Sequence, residues 1–319
     1  MDLVDTLKKK IEVLDDGDYI PGLRAVLRHI ETAFRHLSRG QEIDDETAFT
    51  DAIYRTNQAF EGSIKEAYRV LAGQDPHKKR PFDIENYLEK KEIFRSRVLS
   101  QFTTYRMEWR NPSTHDYRLD FDESEAFLAI VSVSAFACLL FDQIGERLSF
   151  LKSKAEAESQ KQILSQTLAA SVNTDLLSRL LRVFQQYCAT YVASTGLSTE
   201  HTEVQVVGAL HGFLSAAAPD LFVVTEAKLD QERPFRADLL ISRGDEQVVV
   251  EVKRRMVKGY VRNAIAQVER YMLLGGVKSG IVLFLPDAPG ELAIETLHVG
   301  GVDGRIAVLS PEGSNLSLK

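Results

Sequence analysis

Three charged residues in the last third of the sequence, Asp238, Glu251 and Lys253, have types and spacing that suit metal-assisted hydrolysis. Two carboxylates that face each other at about 5 Å repel, and a bound cation relieves that repulsion. Oxygen ligands of this kind favour Mg²⁺ or Mn²⁺, and a nearby lysine can orient a metal-bound water or help to deprotonate it. The residue types therefore predict a divalent-metal site, provided that the fold brings the two carboxylates together.

A predicted β-hairpin brings them together. A strand pattern over residues 236–243 is followed by the two-residue turn Gly244-Asp245 and by a second strand pattern over residues 247–253. Folding the chain at that turn places the two carboxylates opposite each other. Because side chains alternate between the faces of a strand, the carboxylates and the lysine share one face. An ordinary hairpin with solvated charges at one end is the alternative. The opposite face is predicted to be core, formed by Leu239, Ile241, Val248 and Val250.

This arrangement resembles the signature of the PD-(D/E)xK nuclease superfamily, which is an Asp, a short hairpin and then Glu-x-Lys. The sequence departs from that signature before Asp238, where Arg-Ala stands in place of a proline. The resemblance implies a restriction-endonuclease-like α/β domain over about residues 196–319 that hydrolyses DNA with Mg²⁺ or Mn²⁺. It also implies that Asp238 and Glu251 hold the metal while Lys253 handles the attacking water.

The elements around the hairpin follow the order helix, strand, hairpin, helix, strand, which matches the core of that superfamily. A helical pattern over residues 199–217 carries Glu203 near its start. The resemblance implies an auxiliary acidic ligand at this position, and a first-turn carboxylate favoured by the helix dipole is the alternative. A short apolar run over residues 279–286 predicts a buried strand.

The helix predicted over about residues 258–274 adds two features. Gln267 and Tyr271 lie one turn apart and point together, and the resemblance implies an accessory pair beside the nucleic-acid backbone. The helix also adjoins a local excess of basic residues, although the net charge of −7 argues against broad nonspecific binding of nucleic acid. Phosphate contacts are predicted for Arg254, Arg255, Lys258 and Arg262. The core stripe of the helix is predicted to be Val261, Ile265, Val268 and Met272.

A second pair of residues with catalytic chemistry, Arg110 and His115, lies in the N-terminal half. Histidine moves protons near neutral pH, and arginine binds phosphate in a bidentate manner. Because RNA carries its own nucleophile, the 2′-hydroxyl, such a pair suits cleavage without a metal. We predict that Arg110 ends a helix beginning near Asp83, since Pro112 disfavours helical conformation just before it. His115 is then expected in the following loop.

The Arg-x4-His spacing resembles the motif of HEPN-domain ribonucleases. Asn111 directly after the arginine fits that motif, and Glu61 with Lys65 on the preceding helix fits the Glu-x3-Lys that often accompanies it. The resemblance implies a homodimer in which each protomer contributes Arg110 and His115 to one composite cleft, with no cofactor. A noncatalytic HEPN-like dimerisation module is the alternative.

Composition is that of an ordinary soluble protein, with 44 % hydrophobic and 27 % charged residues. The most apolar stretch, residues 126–141, is predicted to be a central bundle helix too short to span a bilayer unaided. No secretory leader is recognised at the start, and Cys138 and Cys188 are predicted to be reduced core residues. We therefore expect a cytoplasmic protein with no membrane partner.

The sequence as a whole predicts a multi-domain protein. An all-α HEPN-like helical bundle over residues 1–154 and a helical connector over residues 155–195 precede the α/β PD-(D/E)xK domain over residues 196–319. The expected function is a prokaryotic nuclease of the defence or toxin kind that cuts DNA with Mg²⁺, with RNA as a second substrate at a dimeric, metal-independent HEPN site. One alternative is a HEPN ribonuclease toxin whose C-terminal domain only binds nucleic acid. Another is a nonenzymatic dimeric sensor or scaffold that recruits a helicase or another defence partner.

Overall fold

A computed structural model describes residues 2–115, 119–191, 202–230, 235–256, 258–299 and 304–313, with the backbone alone at His115, Tyr191 and Lys258. The chain divides into two compact units, Met1–Arg147 and Leu148–Lys319. The first unit is helical, and the second contains a mixed sheet of six strands. The expectation of a helical region followed by an α/β domain is confirmed at this level.

The first unit is built from amphipathic helices whose apolar residues recur at helical spacing and pack together. Its centre is aromatic, with the Phe60 ring 5.4 Å from Phe102, 4.8 Å from Tyr105 and 5.3 Å from Phe136 between centroids. The helices are α1 (Leu3–Glu12), α2 (Ile20–Ile43), α3 (Thr47–Val70), α4 (Pro81–Lys90), α5 (Ser96–Tyr105), α6 (Asn111–His115) and the start of α7 (Glu123–Ser159).

The chain stays helical through Pro112, which corrects two expectations. Arg110 does not end a helix that begins near Asp83, because α4 ends at Lys90 and α5 starts afresh at Ser96. A π-helical turn, Arg106–Arg110, joins α5 directly to α6, so His115 lies on a helix rather than in a loop. The backbone amide of Asn111 donates a hydrogen bond to the carbonyl of Arg106, five residues back. This wider turn makes room for the ring of Pro112, which would otherwise meet the preceding turn.

The second unit is organised around a sheet with strand order β1-β2-β3-β4-β6-β5. β1, β2 and β3 are antiparallel, β3, β4 and β6 are parallel, and β5 pairs antiparallel with β6 at the far edge. The strands are β1 (Phe222–Lys228), β2 (Arg236–Arg243), β3 (Glu246–Lys253), β4 (Ser279–Phe284), β5 (Leu292–Val299) and β6 (Gly304–Pro311). The helices of this unit are α8 (Lys161–Leu168), α9 (Leu176–Gln186), α10 (Glu203–Ala217) and α11 (Lys258–Gly275), with a 3₁₀ turn at Ala169–Ser171 and a π-helical turn at Tyr187–Tyr191.

The hairpin of β2 and β3 has the predicted register. Arg243 pairs with Glu246 across the turn, and Leu239 pairs with Val250. Gly244 adopts φ 59°, the left-handed conformation that a tight hairpin turn requires and that glycine adopts without strain. Continuing the ladder by one residue places Asp238 opposite Glu251.

Both faces of the hairpin are covered. Leu239, Ile241, Val248 and Val250 are buried together with residues of α9 and α10, as predicted for the core face. On the opposite face, Val249 is buried against α11. The predicted stripe of α11 is buried there as well, namely Val261, Ile265, Val268 and Met272. The face that carries the charged residues is therefore also core, except at its end, and β4 is the buried strand that was expected.

The helices expected to form a connector belong to the second unit. Leu164 of α8 and Leu180 and Phe184 of α9 are buried in the same cluster as the hairpin residues. The boundary between the units follows Arg147, within α7, whereas the connector was expected to begin at residue 155. Apolar spacing alone does not indicate which neighbour covers a helix, so the sequence does not assign these helices to a core.

Among the described residues, one helix, α7, is long and apolar enough to cross a membrane by length and composition alone. The most apolar 18 residues of this helix have a mean hydropathy of 2.0. Half of these residues are buried, and buried core helices of soluble proteins pass the same test.

α10 approaches α7 closely at Gly212. A Cβ atom at this position would lie 2.2 Å from the carbonyl oxygen of Phe150 and 3.0 Å from the amide nitrogen of Lys154. Only glycine allows the backbones of two helices to come this close. The contact sets the position of α10, the helix on which Glu203 lies.

Replacing Gly212 by alanine should lower the free energy of unfolding by about 1–3 kcal/mol, because overpacking forces the helices apart. Denaturant unfolding followed by circular dichroism measures the change. Gly259→Ala is the matched control, since a Cβ there meets no atom within 4 Å and alanine favours the helix more than glycine does. Equal stability of Gly212→Ala and the wild type would contradict the close contact.

Candidate metal centre

Three carboxylates from three different elements converge at one end of the sheet. Glu203 lies on the first turn of α10, Asp238 on β2 and Glu251 on β3, and each offers an oxygen within 4.8 Å of the other two. A capping box between Thr202 and Gln205 starts α10 and fixes the turn that carries Glu203. The structure therefore brings together the two predicted ligands and the predicted auxiliary acid.

Glu251 is the most deeply buried of the three, with 2 % of its surface exposed. Its Oε1 accepts a hydrogen bond of 2.5 Å from Lys253 Nζ, which also lies 3.4 Å from Glu203 Oε1. The other oxygen, Oε2, is buried and has no hydrogen-bond partner in the part of the chain that the structure describes. A buried carboxylate oxygen without a partner is costly, so this oxygen is available to bind a cation.

Asp238 lies where the sheet ladder is interrupted on both sides. Its Oδ2 accepts a hydrogen bond of 2.8 Å from the backbone amide of Val252, taking the place of a strand carbonyl. On β1, the pairing runs through Thr225 and resumes at Ala227. Glu226, between them, adopts φ 47°, a conformation that costs a non-glycine residue energy and that often occurs at functional sites.

Burial and mutual repulsion raise the pKa values of Asp238 and Glu251. Burial, and then the charge of Glu251, raise the pKa of Asp238 to about 7, against a weaker opposing effect of the Val252 hydrogen bond. Burial also raises the pKa of Glu251, although Lys253 opposes this. Burial lowers the pKa of Lys253, but the neighbouring carboxylates together raise it by more, so the net shift is upward. One lysine among three carboxylates leaves a deficit of positive charge.

Gln267 and Tyr271 border the centre from α11. The Gln267 amide donates a hydrogen bond of 2.6 Å to the Tyr271 hydroxyl, so the two side chains point together as predicted. Gln267 is also close enough to Glu251 to lower the pKa of that carboxyl. Tyr271 is buried, and its burial raises the pKa of the phenol. The pair can therefore position a polar group beside the carboxylates.

Two of the predicted basic residues follow the centre in the chain, and a third lies on another side of α11 from Gln267. Arg254 and Arg255 follow β3 directly, and Arg262 is exposed on α11, whereas the side chain of Lys258 lies outside the described part of the chain. Sequence reasoning missed Phe235, whose ring lies 5.3 Å from the Arg270 guanidinium. Its position three residues before Asp238 could have singled it out in the sequence. Its contact with α11 is visible only in the tertiary structure.

The predicted residues of the first unit form a separate charged cluster. The Arg110 guanidinium donates to Asn111 Oδ1 at 3.1 Å and lies 3.8 Å from Glu85 Oε1. Glu85 is buried, and burial raises its pKa while Arg110 and Arg106 oppose that shift. Glu61 lies close enough to raise the pKa of Glu85 further. Arg110, Asn111 and Glu61 are therefore neighbours of one buried carboxyl that the sequence interpretation did not single out.

Lys65 and His115 are the other residues of the first unit that were predicted for this site. Lys65 interacts electrostatically with Glu66, its neighbour in the chain, and the side chain of His115 lies outside the described part of the structure. A network missed from the sequence holds α6 against α3, since Asn57 donates to Ser113 at 2.8 Å and accepts from Tyr105 at 2.9 Å. The sequence signal that could have identified Glu85 and its partners is the four-residue spacing within two pairs, Glu85 with Glu89 and Arg106 with Arg110. This spacing places the members of each pair on the same side of a helix.

The stability of the metal-free protein should fall as pH rises from about 4 to about 7. Asp238 has a pKa of about 7 in the folded chain against an ordinary value of 3.8, so the folded state binds its proton more tightly across this window. Asp238→Asn cannot titrate, and its unfolding free energy should depend less on pH than that of the wild type. Denaturant unfolding with a chelator present, at several pH values, tests this.

Asp287→Asn is the matched control, because Asp287 is exposed in the same unit, and this variant should follow the wild type. Adding a divalent ion to the wild type should reduce the loss of stability at the upper end of the window. The same pH dependence in Asp238→Asn and the wild type would show that Asp238 keeps an ordinary pKa.

Comparison of the chain with protein-family models, with curated proteins and with solved structures gave no match. The functional conclusion therefore depends on the residues themselves and on their geometry. The carboxylate cluster with Lys253 is the arrangement in the described chain with the clearest chemistry.

Proposed function

We propose that the second unit is a metal-dependent nuclease of the PD-(D/E)xK type, which hydrolyses phosphodiester bonds of DNA. The observation that carries this proposal is the convergence of Glu203, Asp238 and Glu251 around the Lys253 ammonium. Structural ion pairs usually balance their charges, whereas three carboxylates share one lysine here. That imbalance, at the end of a sheet and with two arginines directly after Lys253 in the chain, favours a site for a divalent ion and a phosphate.

The donor set fits Mg²⁺ or Mn²⁺. Carboxylate oxygens are the ligands that these ions prefer, and Glu251 Oε2 is a buried oxygen without another partner among the described residues. When bound, such an ion supplies charge stabilisation for the phosphate and lowers the pKa of a coordinated water. Asp238 and Glu251 are the proposed ligands, and Glu203 is the auxiliary acid.

The remaining residues orient the substrate and move the proton. Lys253 Nζ lies between Glu251 and Glu203, where it can hold the attacking water and favour its deprotonation. Gln267 and Tyr271 border the same position and can hold a phosphate oxygen by hydrogen bonds. Arg254, Arg255, Lys258 and Arg262 are the proposed contacts to neighbouring phosphates.

The wider setting is part of the proposal. We assign the protein to the cytoplasm of a prokaryotic cell, as a nuclease of the defence or toxin kind, on the basis of its composition and its resemblance to nucleases. A homodimer through the helical unit and a partner from a defence system are the proposed interactions.

Glu251→Gln and Lys253→Ala should each lower Mg²⁺-dependent cleavage of DNA by roughly 100-fold or more, because one removes a ligand and the other the group that activates water. Cleavage of a labelled oligonucleotide, followed over time on a denaturing gel, measures the rate. Glu295→Gln is the matched control for charge, since Glu295 lies on β5 at the far edge of the same sheet. Undiminished cleavage by purified Glu251→Gln protein would place the active site elsewhere.

A second candidate function, metal-independent cleavage of RNA, rests on the first unit. Arg110 and His115 lie within one continuous helical segment that the network around Asn57 and Tyr105 holds against α3. The Arg110 guanidinium has Asn111 and the buried Glu85 as neighbours, which restrict its orientation. In the proposed homodimer each protomer contributes Arg110 to stabilise charge on the phosphorus and His115 to move protons.

A chelator should separate the two activities. It should stop the cutting of DNA, whereas RNA cleavage through the 2′-hydroxyl should persist, leave cyclic phosphate ends and disappear in His115→Ala. Glu251→Gln should retain the RNA activity, so that variant serves as the reciprocal control. RNA cleavage that the chelator removes would count against the HEPN mechanism. Absence of RNA cleavage, together with retained DNA cutting, would favour the noncatalytic dimerisation module.

A further inference from the structure

An exposed tyrosine, Tyr260, lies on the first turn of α11, seven residues before Gln267. Its side chain has 63 % of its surface exposed, and it follows Lys253 by seven residues in the chain. The preceding Gly259 has open space around its backbone, since a Cβ atom added there would meet no atom within 4 Å. An aromatic side chain with this exposure presents a ring face on which a nucleic-acid base can stack.

Helical geometry places Tyr260 on the side of α11 that faces the centre. At 100° per residue, Tyr260, Asn263 and Gln267 fall within about 60° of one another around the helix axis. The position of Gln267 next to Glu251 identifies the direction in which this side points. Tyr260 is therefore on the same side as the carboxylates, and it is not part of the stripe that is buried against the sheet.

The spacing along the helix suits a strand of nucleic acid. Seven residues separate Tyr260 from Gln267, which corresponds to about 10 Å along the axis. Stacked bases of one strand are about 3.4 Å apart, so this length covers roughly three nucleotides. A phosphate at the metal centre would then place a base of the same strand within reach of the Tyr260 ring.

The chemistry of this surface favours unpaired bases. Aromatic side chains next to cationic groups are the usual combination in proteins that bind single strands, because each base has a π-face and each phosphate a charge. Arg255 is exposed directly after β3, and Arg270, on the same side of α11 as Asn263 and Gln267, packs over Phe235. In a duplex the faces of the bases are covered by their stacked neighbours, so an exposed ring gains little from paired DNA.

We propose that Tyr260 stacks on an unpaired base of the DNA strand whose phosphate lies at the metal centre. The protein accordingly prefers single-stranded DNA, or single-stranded ends, to continuous duplex. This inference rests on the proposed nuclease function, because it takes the position of the phosphate from the metal centre. It adds a substrate class and a residue that selects it.

Binding to labelled oligonucleotides with Ca²⁺ in place of Mg²⁺ tests the proposal with a cation at the carboxylates and without Mg²⁺-dependent cleavage. The probes are a fluorescein-labelled single strand of about 20 nucleotides and a duplex of the same length, followed by anisotropy. Tyr260→Ala should bind the single strand about tenfold more weakly than the wild type, equivalent to about 1.4 kcal/mol. Tyr260→Phe keeps the ring and should bind as the wild type does, and affinity for duplex should be the same in all three proteins.

Phe222→Ala is the matched control, because Phe222 is equally exposed, at 68 %, but lies at the opposite end of β1, where it pairs with Ser242 near the hairpin turn. It should bind both probes as the wild type does. A single strand that carries 2-aminopurine gives a direct signal of stacking. Its fluorescence should be quenched by the wild type, Tyr260→Phe and Phe222→Ala, but not by Tyr260→Ala.

Cleavage assays on the same variants separate this inference from the proposed function. DNA cutting that depends on Glu251, combined with duplex binding as tight as single-strand binding or with no effect of Tyr260→Ala, would overturn the inference and leave the nuclease standing. Loss of single-strand affinity and of quenching in Tyr260→Ala, without any metal-dependent cutting, would support the stacking site and overturn the nuclease.

Discussion

Repulsion between Asp238 and Glu251 is the constraint on which the second unit depends. The hairpin register places these residues opposite each other, and burial removes much of the water that would screen them. Lys253 compensates one negative charge, and Glu203 adds another. The raised pKa values of Asp238 and Glu251 express this conflict, which a proton or a cation resolves. A fold that only needed stability would gain from apolar side chains at these positions.

The scaffold around the hairpin keeps that conflict from relaxing. Helices cover both faces, and a slip of one residue would move Val248 and Val249 each to the opposite face and disrupt the packing of both apolar clusters. The same two layers supply the other groups of the site, because α10 carries Glu203 and α11 carries Gln267. Packing energy distributed over many apolar residues therefore holds a small group of charged residues in an unfavourable arrangement.

The charged cluster of the first unit follows a different principle. Arg106 makes two hydrogen bonds with Glu89, at 2.7 and 2.9 Å, and Arg110 lies beside the buried Glu85. Two arginines lie among three carboxylates there, so the charges are closer to balance than at the metal centre. A role for Arg110 in RNA chemistry requires that a phosphate compete with these carboxylates. The two units thus differ in charge balance, since one lysine lies among three carboxylates in the second unit and two arginines among three in the first.

Local patterns in the sequence determined the hairpin, its register and the buried stripe of α11, because strand alternation, a two-residue turn and helical spacing are set by neighbouring residues. Tertiary structure decided the rest. The approach of Glu203, the burial of Glu251 and the interruption of β1 at Glu226 depend on segments that are distant in sequence. The sequence interpretation did not identify β5 and β6, whose places in the sheet depend on the pairing of β6 with β4 and of β5 with β6. At Pro112, a π-helical turn overrode the local preference of the preceding residue, since packing of α6 against α3 favours continued helix.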